Sequence, residues 1–297
     1  MIGDLHCHTT LSDGSLGIEE VILQAKRMKL DYLAITDHDT LSSSNRAHIL
    51  GERYGVNIIP AVELSAWDKK RNEKVHILCY APLKPDRLEG LCLKSCSIRT
   101  ECAKDMINKV MERYPIPPEA VRMYTKGSKS IYKQHIMRTL CNYGYATELY
   151  GEVNNRLFAY PDGECLVTRE YPDVNFVLDL IHSSRGIAVM AHPFLFEGGN
   201  IDLLYELIGQ GKLDGIEVYH YSANEFQRKL LLEKCKEYGL IATGGSDFHG
   251  LYNSVPTYIG SCTTDEENIN LMLDKIAYNK KKLKEHSAEI KAKQSAN

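Results

Sequence analysis

His6, His8, Asp13, His38, Glu63, His76, His192, Asp247 and His249 fall in short polar clusters, and nearly every cluster sits where an apolar segment ends. The clusters read Asp4-Leu5-His6-Cys7-His8, then Asp13, then Thr36-Asp37-His38-Asp39. They continue with Glu63, His76, Ala191-His192-Pro193 and Ser246-Asp247-Phe248-His249-Gly250. Imidazole and carboxylate together are ligands for zinc, iron and manganese. Six histidines and three carboxylates are too many for one ion and suit two or three. The chemistry they indicate is metal-dependent hydrolysis.

His6-x-His8 places two imidazoles on one side of an extended chain, because strand side chains alternate. Asp247-x-His249 repeats the spacing, although a turn there can send the two to different ions. Glu63 emerges from an otherwise apolar strand, and its two oxygens can bridge two metals, which an imidazole cannot do. Asp37 and Asp39 flank His38 and read as partners that fix its ring. Structural roles compete with these: Asp37 and Asp39 fit helix caps, and Asp13-Gly14-Ser15 fits a turn. Joint placement favours metal, because burying several unpaired charges is costly. His48, His182 and His286 fall in helical stretches without such context and read as structural.

The elements that must position these groups alternate. Met1 to His6 reads as a strand, and Ile18, Val21, Ile22, Ala25 and Met28 recur at helical spacing. Tyr32–Thr36 is a predicted strand, Ser44–Tyr54 a helix, and Val56–Glu63 and Lys74–Cys79 further strands. The rhythm resumes with a helix over Asp173–Ser183 and a strand over Gly186–Ala191. It ends with Ile201–Gln210 (helix), Leu213–Val218 (strand), Glu225–Tyr238 (helix) and Leu240–Thr243 (strand). Such units predict an α/β chain with a parallel sheet, closed or open. The polar residues gather at one end of it, where α/β barrels place their active face.

Residues 85–171 lack this rhythm. Leu88–Tyr114 and Ile131–Tyr143 read as helices around Pro115-Ile116-Pro117-Pro118, which predicts an inserted helical subdomain over the mouth. The expected organisation is thus one hydrolase domain from 1–84 and 172–297, with a cap from 85–171. From Asn279 the chain reads as a solvated terminal helix. Net charge is -3 and pI about 6.4, so no global basic field draws the chain to nucleic acid or membrane. Nine cysteines, an odd number with no signal segment ahead of them, predict free thiols and a cytoplasmic protein. No apolar run reaches the ~20 residues of a membrane span.

The clusters as they stand resemble the four motifs of the PHP (polymerase and histidinol phosphatase) family, over about residues 1–84 and 172–265. The resemblance implies a distorted (β/α)7 barrel with a trinuclear site. Carried over, His6, His8, Glu63 and Asp247 hold the first ion. Asp13, His38 and His249 hold the second, and Glu63, His76 and His192 the third, with Glu63 bridging. Within the family the chain resembles stand-alone phosphoesterases acting on nucleotides, whose insertion carries a segment of the type Gly-Arg-Pro-His-Ile-Ala. Here the stretch reads Tyr132-Lys133-Gln134-His135-Ile136-Met137-Arg138. His135 is kept, while lysine, a point charge without the bidentate fork, replaces arginine.

The expected cofactors are two to three divalent ions, manganese, iron or zinc, and the expected catalytic residues Asp13, His38, Glu63 and His249. A water between two ions would attack phosphorus in line. Lys133, Arg138 and His135 are substrate-binding candidates, as is His220, which follows a strand and faces the mouth. The expected partner is a small phosphorylated nucleotide or short oligoribonucleotide, with no obligate protein partner. A histidinol-phosphate phosphatase is disfavoured by the insertion. A non-catalytic metal-binding module is disfavoured by the complete ligand set.

Overall fold

The structure, a computed structural model, describes residues 1–196 and 199–295. Residues 197 and 198, and the last two residues of the expected hydrolase segment, lie outside the described residues. The first strand, β1 (Gly3–Cys7), is buried throughout. It leads to α1 (Ile18–Arg27), which turns Ile18, Val21, Ile22 and Ala25 inward. Next come β2 (Tyr32–Ile35), α2 (Ser44–Tyr54), β3 (Asn57–Ile58), β4 (Ala61–Asp68) and β5 (Glu73–Tyr80). A helical stretch follows, with α3 (Asp86–Met111), α4 (Lys133–Asn142) and α5 (Glu152–Phe158). Alternation returns with α6 (Val174–Ser183), β6 (Ile187–Met190), α7 (Ile201–Gly209), β7 (Gly215–Tyr219), α8 (Glu225–Tyr238), β8 (Ile241–Gly244) and α9 (Glu266–Ser295). The chain is α/β.

The sheet differs from the parallel one expected. There are two, β1-β2-β3 and β4-β5-β6-β7-β8. The first is parallel, but β5 runs antiparallel to both β4 and β6. Lys69–Asn72 is the reason: a parallel crossover needs roughly a dozen residues, and so short a link can only fold back. The strand expected over Val56–Glu63 is also split, because Pro60 offers no N–H to a ladder.

The two sheets meet along two short seams. At one, Glu63 N donates to Thr36 O at 3.0 Å and Asp39 N to Glu63 O at 2.9 Å. At the other, His8 N donates to Phe248 O at 2.9 Å and Asp247 N to His6 O at 2.9 Å. The outer faces of β4 to β8 pack Val62, Leu64, Ile77, Met190 and Ile216 against α6, α7 and α8. Leu5, Ala34, Leu78, Tyr80 and Val189 fill the space between the sheets. The second half of α3 forms a separate core with α4 and α5, through Met106, Val110, Ile136, Leu140, Leu157 and Phe158. The first turns of α3 belong elsewhere: Leu88, Leu91 and Cys92 join the core of the β4–β8 sheet.

The seams require close backbone approach. A Cβ at Gly245 would lie 2.2 Å from His6 Cβ and 2.5 Å from His6 N. Within the loop after β1, one at Gly14 would lie 2.5 Å from His8 O. Gly245→Ala should therefore push β1 and β8 apart and cost at least the ~1–3 kcal/mol typical of overpacking. A melting experiment should show Tm lowered by several degrees, on the scale of roughly 2–4 °C per kcal/mol. A Gly245→Ala variant that melts with wild type would show that the seam relaxes freely.

Candidate metal centre

Each seam brings donor side chains to one face. His6 lies in β1 and His8 just beyond it, where alternation points both the same way. His38 follows β2, Asp247 and His249 follow β8, and His192 follows β6. Glu63 and His76 come from within the β4–β5 hairpin, and Asp13 from the loop after β1. Asp39, His192 and Asp247 have left-handed backbones, at φ 53°, 27° and 50°. Such conformations cost about 1–3 kcal/mol each in non-glycine residues. Here the seam hydrogen bonds of Asp39 and Asp247 hold two of them, and Glu217 Oε2, accepting from His192 N at 2.8 Å, holds the third.

All nine residues singled out in the sequence converge. His6 Nε2 and His8 Nε2 lie 3.3 and 3.2 Å from Glu63 Oε2, and each lies 3.3 Å from Asp247 Oδ1. Asp13 Oδ1 is 3.3 Å from His249 Nε2 and 3.8 Å from His8 Nδ1, and Asp13 Oδ2 is 3.9 Å from His38 Nε2. Glu63 Oε1 is 2.7 Å from His76 Nδ1 and 3.0 Å from His192 Nε2. Glu63 Oε2 is 3.0 Å from His38 Nδ1. Three ligand groups result: His6-His8-Glu63-Asp247, His8-Asp13-His38-His249 and His38-Glu63-His76. The first group is the one the sequence resemblance implies; the second gains His8, and the third holds His38 where the resemblance implies His192, which still lies 3.0 Å from Glu63 Oε1.

The electrostatics are those of imidazoles and carboxylates crowded together under burial. Burial opposes charge on His6, yet Glu217, Glu63 and Asp247 hold its pKa well above the ordinary value. His8 is also opposed by burial and still rises to about 10, through Asp247 and Glu63. Burial and the Lys74 ammonium lower His76 to about 4. Burial pushes the Glu63 carboxyl up, but His38, His76 and His6 hold it well below the usual range. Adjacent imidazoles are thus driven in opposite directions, because carboxylates dominate around His6 and His8 while burial and the Lys74 ammonium dominate at His76. Buried His6 Nε2, His8 Nε2, His38 Nδ1, His76 Nε2, His192 Nδ1, Asp13 Oδ1 and Glu63 Oε2 lack hydrogen-bond partners. Buried polar atoms normally have them. This donor set fits divalent cations.

Around the nine stand residues that the sequence reading assigned otherwise or missed. Glu217 Oε1 takes the hydrogen bond of His6 Nδ1 at 2.9 Å. Its signal was present: a lone carboxylate inside the apolar strand Gly-Ile-Glu-Val-Tyr, like that of Glu63. Asp37 does not hold the His38 ring; it accepts from Thr9 N, Thr9 Oγ1 and Ser12 Oγ, fixing the loop that carries Asp13. Asp39 instead accepts from Ser65 N and pairs with buried Arg99 of α3. Tyr132 stacks on the His38 ring at 6.1 Å. His220 Nε2 is 3.4 Å from Asp247 Oδ2, and its Nδ1 is 2.7 Å from Ser222 Oγ.

The three candidates on α4 are placed unequally. His135 is buried and its pKa is lowered to about 4 by burial, against the charge of Asp13. Lys133 Nζ donates to Phe158 O at 3.1 Å, and the Arg138 guanidinium lies over the Tyr124 ring. The α4 side chain that hydrogen-bonds the donor cluster is Gln134, whose Nε2 donates to Asp13 Oδ2 at 3.4 Å. Helical spacing alone could not decide which face of α4 turns inward.

A PHP domain model matches residues 4–184. The chain is 34% identical to phosphoribosyl 1,2-cyclic phosphate 1,2-diphosphodiesterase of Eggerthella lenta, over 86% of this chain and 97% of the relative. It is 28% identical to a 5'-3' exoribonuclease of Haemophilus influenzae, over 83% and 89% of the two chains. A Bifidobacterium adolescentis structure to which metal-dependent phosphoesterase activity is ascribed superposes with TM-score 0.81 at 26% identity, covering 92% of this chain and 96% of its own. With the family model covering more than half of the sequence and enclosing six of the nine clustered donors, this chain belongs to the PHP domain family.

Proposed function

We propose that the protein is a metal-dependent phosphoesterase acting on phosphate monoesters or diesters of small nucleotides and related ribose phosphates. The observation that carries this is Glu63, whose two carboxylate oxygens are divided among imidazoles from β1, β5 and the ends of β2 and β6. His6, His8, Glu63 and Asp247 would hold one ion, Asp13, His38 and His249 a second, and Glu63, His76 and His192 a third, drawn from manganese, iron or zinc. Divalent ions there supply positive charge against phosphoryl oxygens and bring the pKa of water toward neutrality. The strands around them read as a distorted (β/α)7 barrel in which the β4–β5 hairpin replaces one strand–helix unit. Residues 85–171 act as its cap. Nine free cysteines fit a cytoplasmic protein, and no helix among the described residues is long and apolar enough to cross a membrane.

Glu217 fixes the mechanism's starting state. By accepting at His6 Nδ1 it keeps the proton there and leaves the Nε2 lone pair facing the centre. Exposure indicates where substrate arrives: the side chains of His38 and His249 are 12% and 13% exposed, against 0% for His6 and His8. His38 and His249 therefore form the wall that the reacting phosphoryl group meets, with Asp13 and Glu63 directly behind them. Gln134 holds Asp13 from the cap side. The relatives support the substrate class, since one is named for a phosphoribosyl cyclic phosphate and another for RNA.

A phosphate-release screen with added manganese tests the proposal. Nucleoside 3',5'-bisphosphates, 5'-phosphorylated oligoribonucleotides and phosphoribosyl cyclic phosphate should be hydrolysed in preference to histidinol phosphate. Metal uptake with no turnover of any phosphate ester would favour a binding module instead. Glu63→Gln preserves shape but not the second anionic oxygen, so turnover should fall on the order of a hundredfold or more, with bound metal lost. Near-normal turnover with full metal content would remove Glu63 from the bridging role. Glu217→Ala should weaken metal binding roughly ten- to a hundredfold, read by calorimetric titration. Unchanged affinity would mean that the seam alone orients His6.

A further inference from the structure

The inner face of the β4–β5 hairpin does not end at the proposed ligands. Alternation along β4 puts Glu63, Ser65 and Trp67 on that face. Directly paired residues of an antiparallel ladder share a face, and Ser65 pairs with His76 and Trp67 with Lys74. Lys74 thus lies two residues outward from His76, about 7 Å along the strand. Its ammonium is 5.3 Å from the ring of Phe196, which itself packs edge-on against His76 and His192 at 5.5 and 5.7 Å. It is also 5.7 Å from the ring of Tyr171.

Tyr171 is held there by the chain that returns beside β4, where Trp67 N donates to Pro172 O at 2.8 Å. It stacks on Trp67 at 5.6 Å and 14°, and the Arg169 guanidinium lies 4.4 Å from its centroid. Two cations therefore converge on one aromatic ring. Burial pushes the Tyr171 phenol up, but Lys74 and Arg169 more than reverse this and bring it to about 8. Among the described residues neither cation has a carboxylate within ion-pair distance; Lys74 lies over the rings of Tyr171 and Phe196, and Arg169 meets the Tyr171 side chain by ring contact and hydrogen bond. Cation–π contacts leave the charge unneutralised. In a chain of net charge -3, beside a cluster of carboxylates, this is a localised positive patch suited to an anion.

We propose that Lys74 and Arg169, with Tyr171 as their platform, form a subsite for a second phosphate of the substrate, the one that is not hydrolysed. The substrate class is then a ribose phosphate carrying two phosphate groups about one sugar apart, such as a nucleoside 3',5'-bisphosphate or an RNA end with its next internucleotide phosphate. The inference rests on the phosphoesterase reading for the identity of the anion, but not for the existence of the anion site.

Trp67 is the single tryptophan of the chain and stacks on the platform, so it reports on the subsite directly. Titrating the purified, metal-containing protein with inorganic phosphate should give a saturable change in tryptophan emission. The change should survive Glu63→Gln and be lost in both Lys74→Met and Arg169→Met. In kinetics, the ratio of KM for a nucleoside 3',5'-bisphosphate to KM for the nucleoside monophosphate should rise at least tenfold in either methionine variant. An emission change that persists in both methionine variants, or a KM ratio that stays at the wild-type value in both, overturns the subsite. If wild type hydrolyses no phosphate ester, the phosphoesterase reading fails on its own, and the Trp67 titration still decides whether the anion site exists.

Discussion

Glu63 joins the molecule twice. Its peptide groups bond to Thr36 and Asp39 across one seam between the sheets, and its carboxylate collects imidazoles from β1, β5 and the ends of β2 and β6. A buried carboxylate is tolerated only where positive charge or hydrogen bonds meet it. The backbone of the seam therefore sets the position of the charge, and the charge sets what must surround it. The second seam works in the same way, because Asp247 N bonds to His6 O while Asp247 Oδ1 faces His6 and His8. Fold and site are one construction here, and Gly245, which lets β1 and the end of β8 approach, serves both.

Around that construction lies a ring of groups that hold the donors in place. Glu217 sets the His6 tautomer and also receives His192 N, so one carboxylate braces two sides of the face. Asp37 binds the loop of Asp13 by three hydrogen bonds, and Asp39 ties the face to Arg99 of α3. Arg99 also reaches Tyr132, which stacks on His38. The helical stretch is thus connected to the donors through a buried charge pair rather than through surface contacts, and such a pair is costly to break once buried.

Much of this was legible in the residues. The alternation of apolar strands and amphipathic helices, and the polar residues at strand ends, predicted an α/β chain with its chemistry on one face. All nine predicted donors meet there because motif spacing is a local property: His6-x-His8 needs only an extended chain. What depended on tertiary partners was not legible. The expected parallel sheet gives way at β4–β5, where the short Lys69–Asn72 link forces the chain to fold back. Lys133 and Arg138 were expected at the mouth, but packing against Phe158 and Tyr124 turns them elsewhere and leaves Gln134 on Asp13. Lys74 and Arg169 lie far apart in sequence and meet only because the chain beyond α5 returns along β4.

The central proposal is that Glu63 would join metal ions held by imidazoles from both sheets. Electron paramagnetic resonance of the manganese-reconstituted protein measures this most directly, since ions in such clusters sit about 3.5–4 Å apart and are close enough for their spins to couple. At full loading the account predicts an exchange-coupled, multiline Mn(II) spectrum that collapses in Glu63→Gln. A simple six-line spectrum from isolated Mn(II) at full loading of the wild-type protein would contradict it.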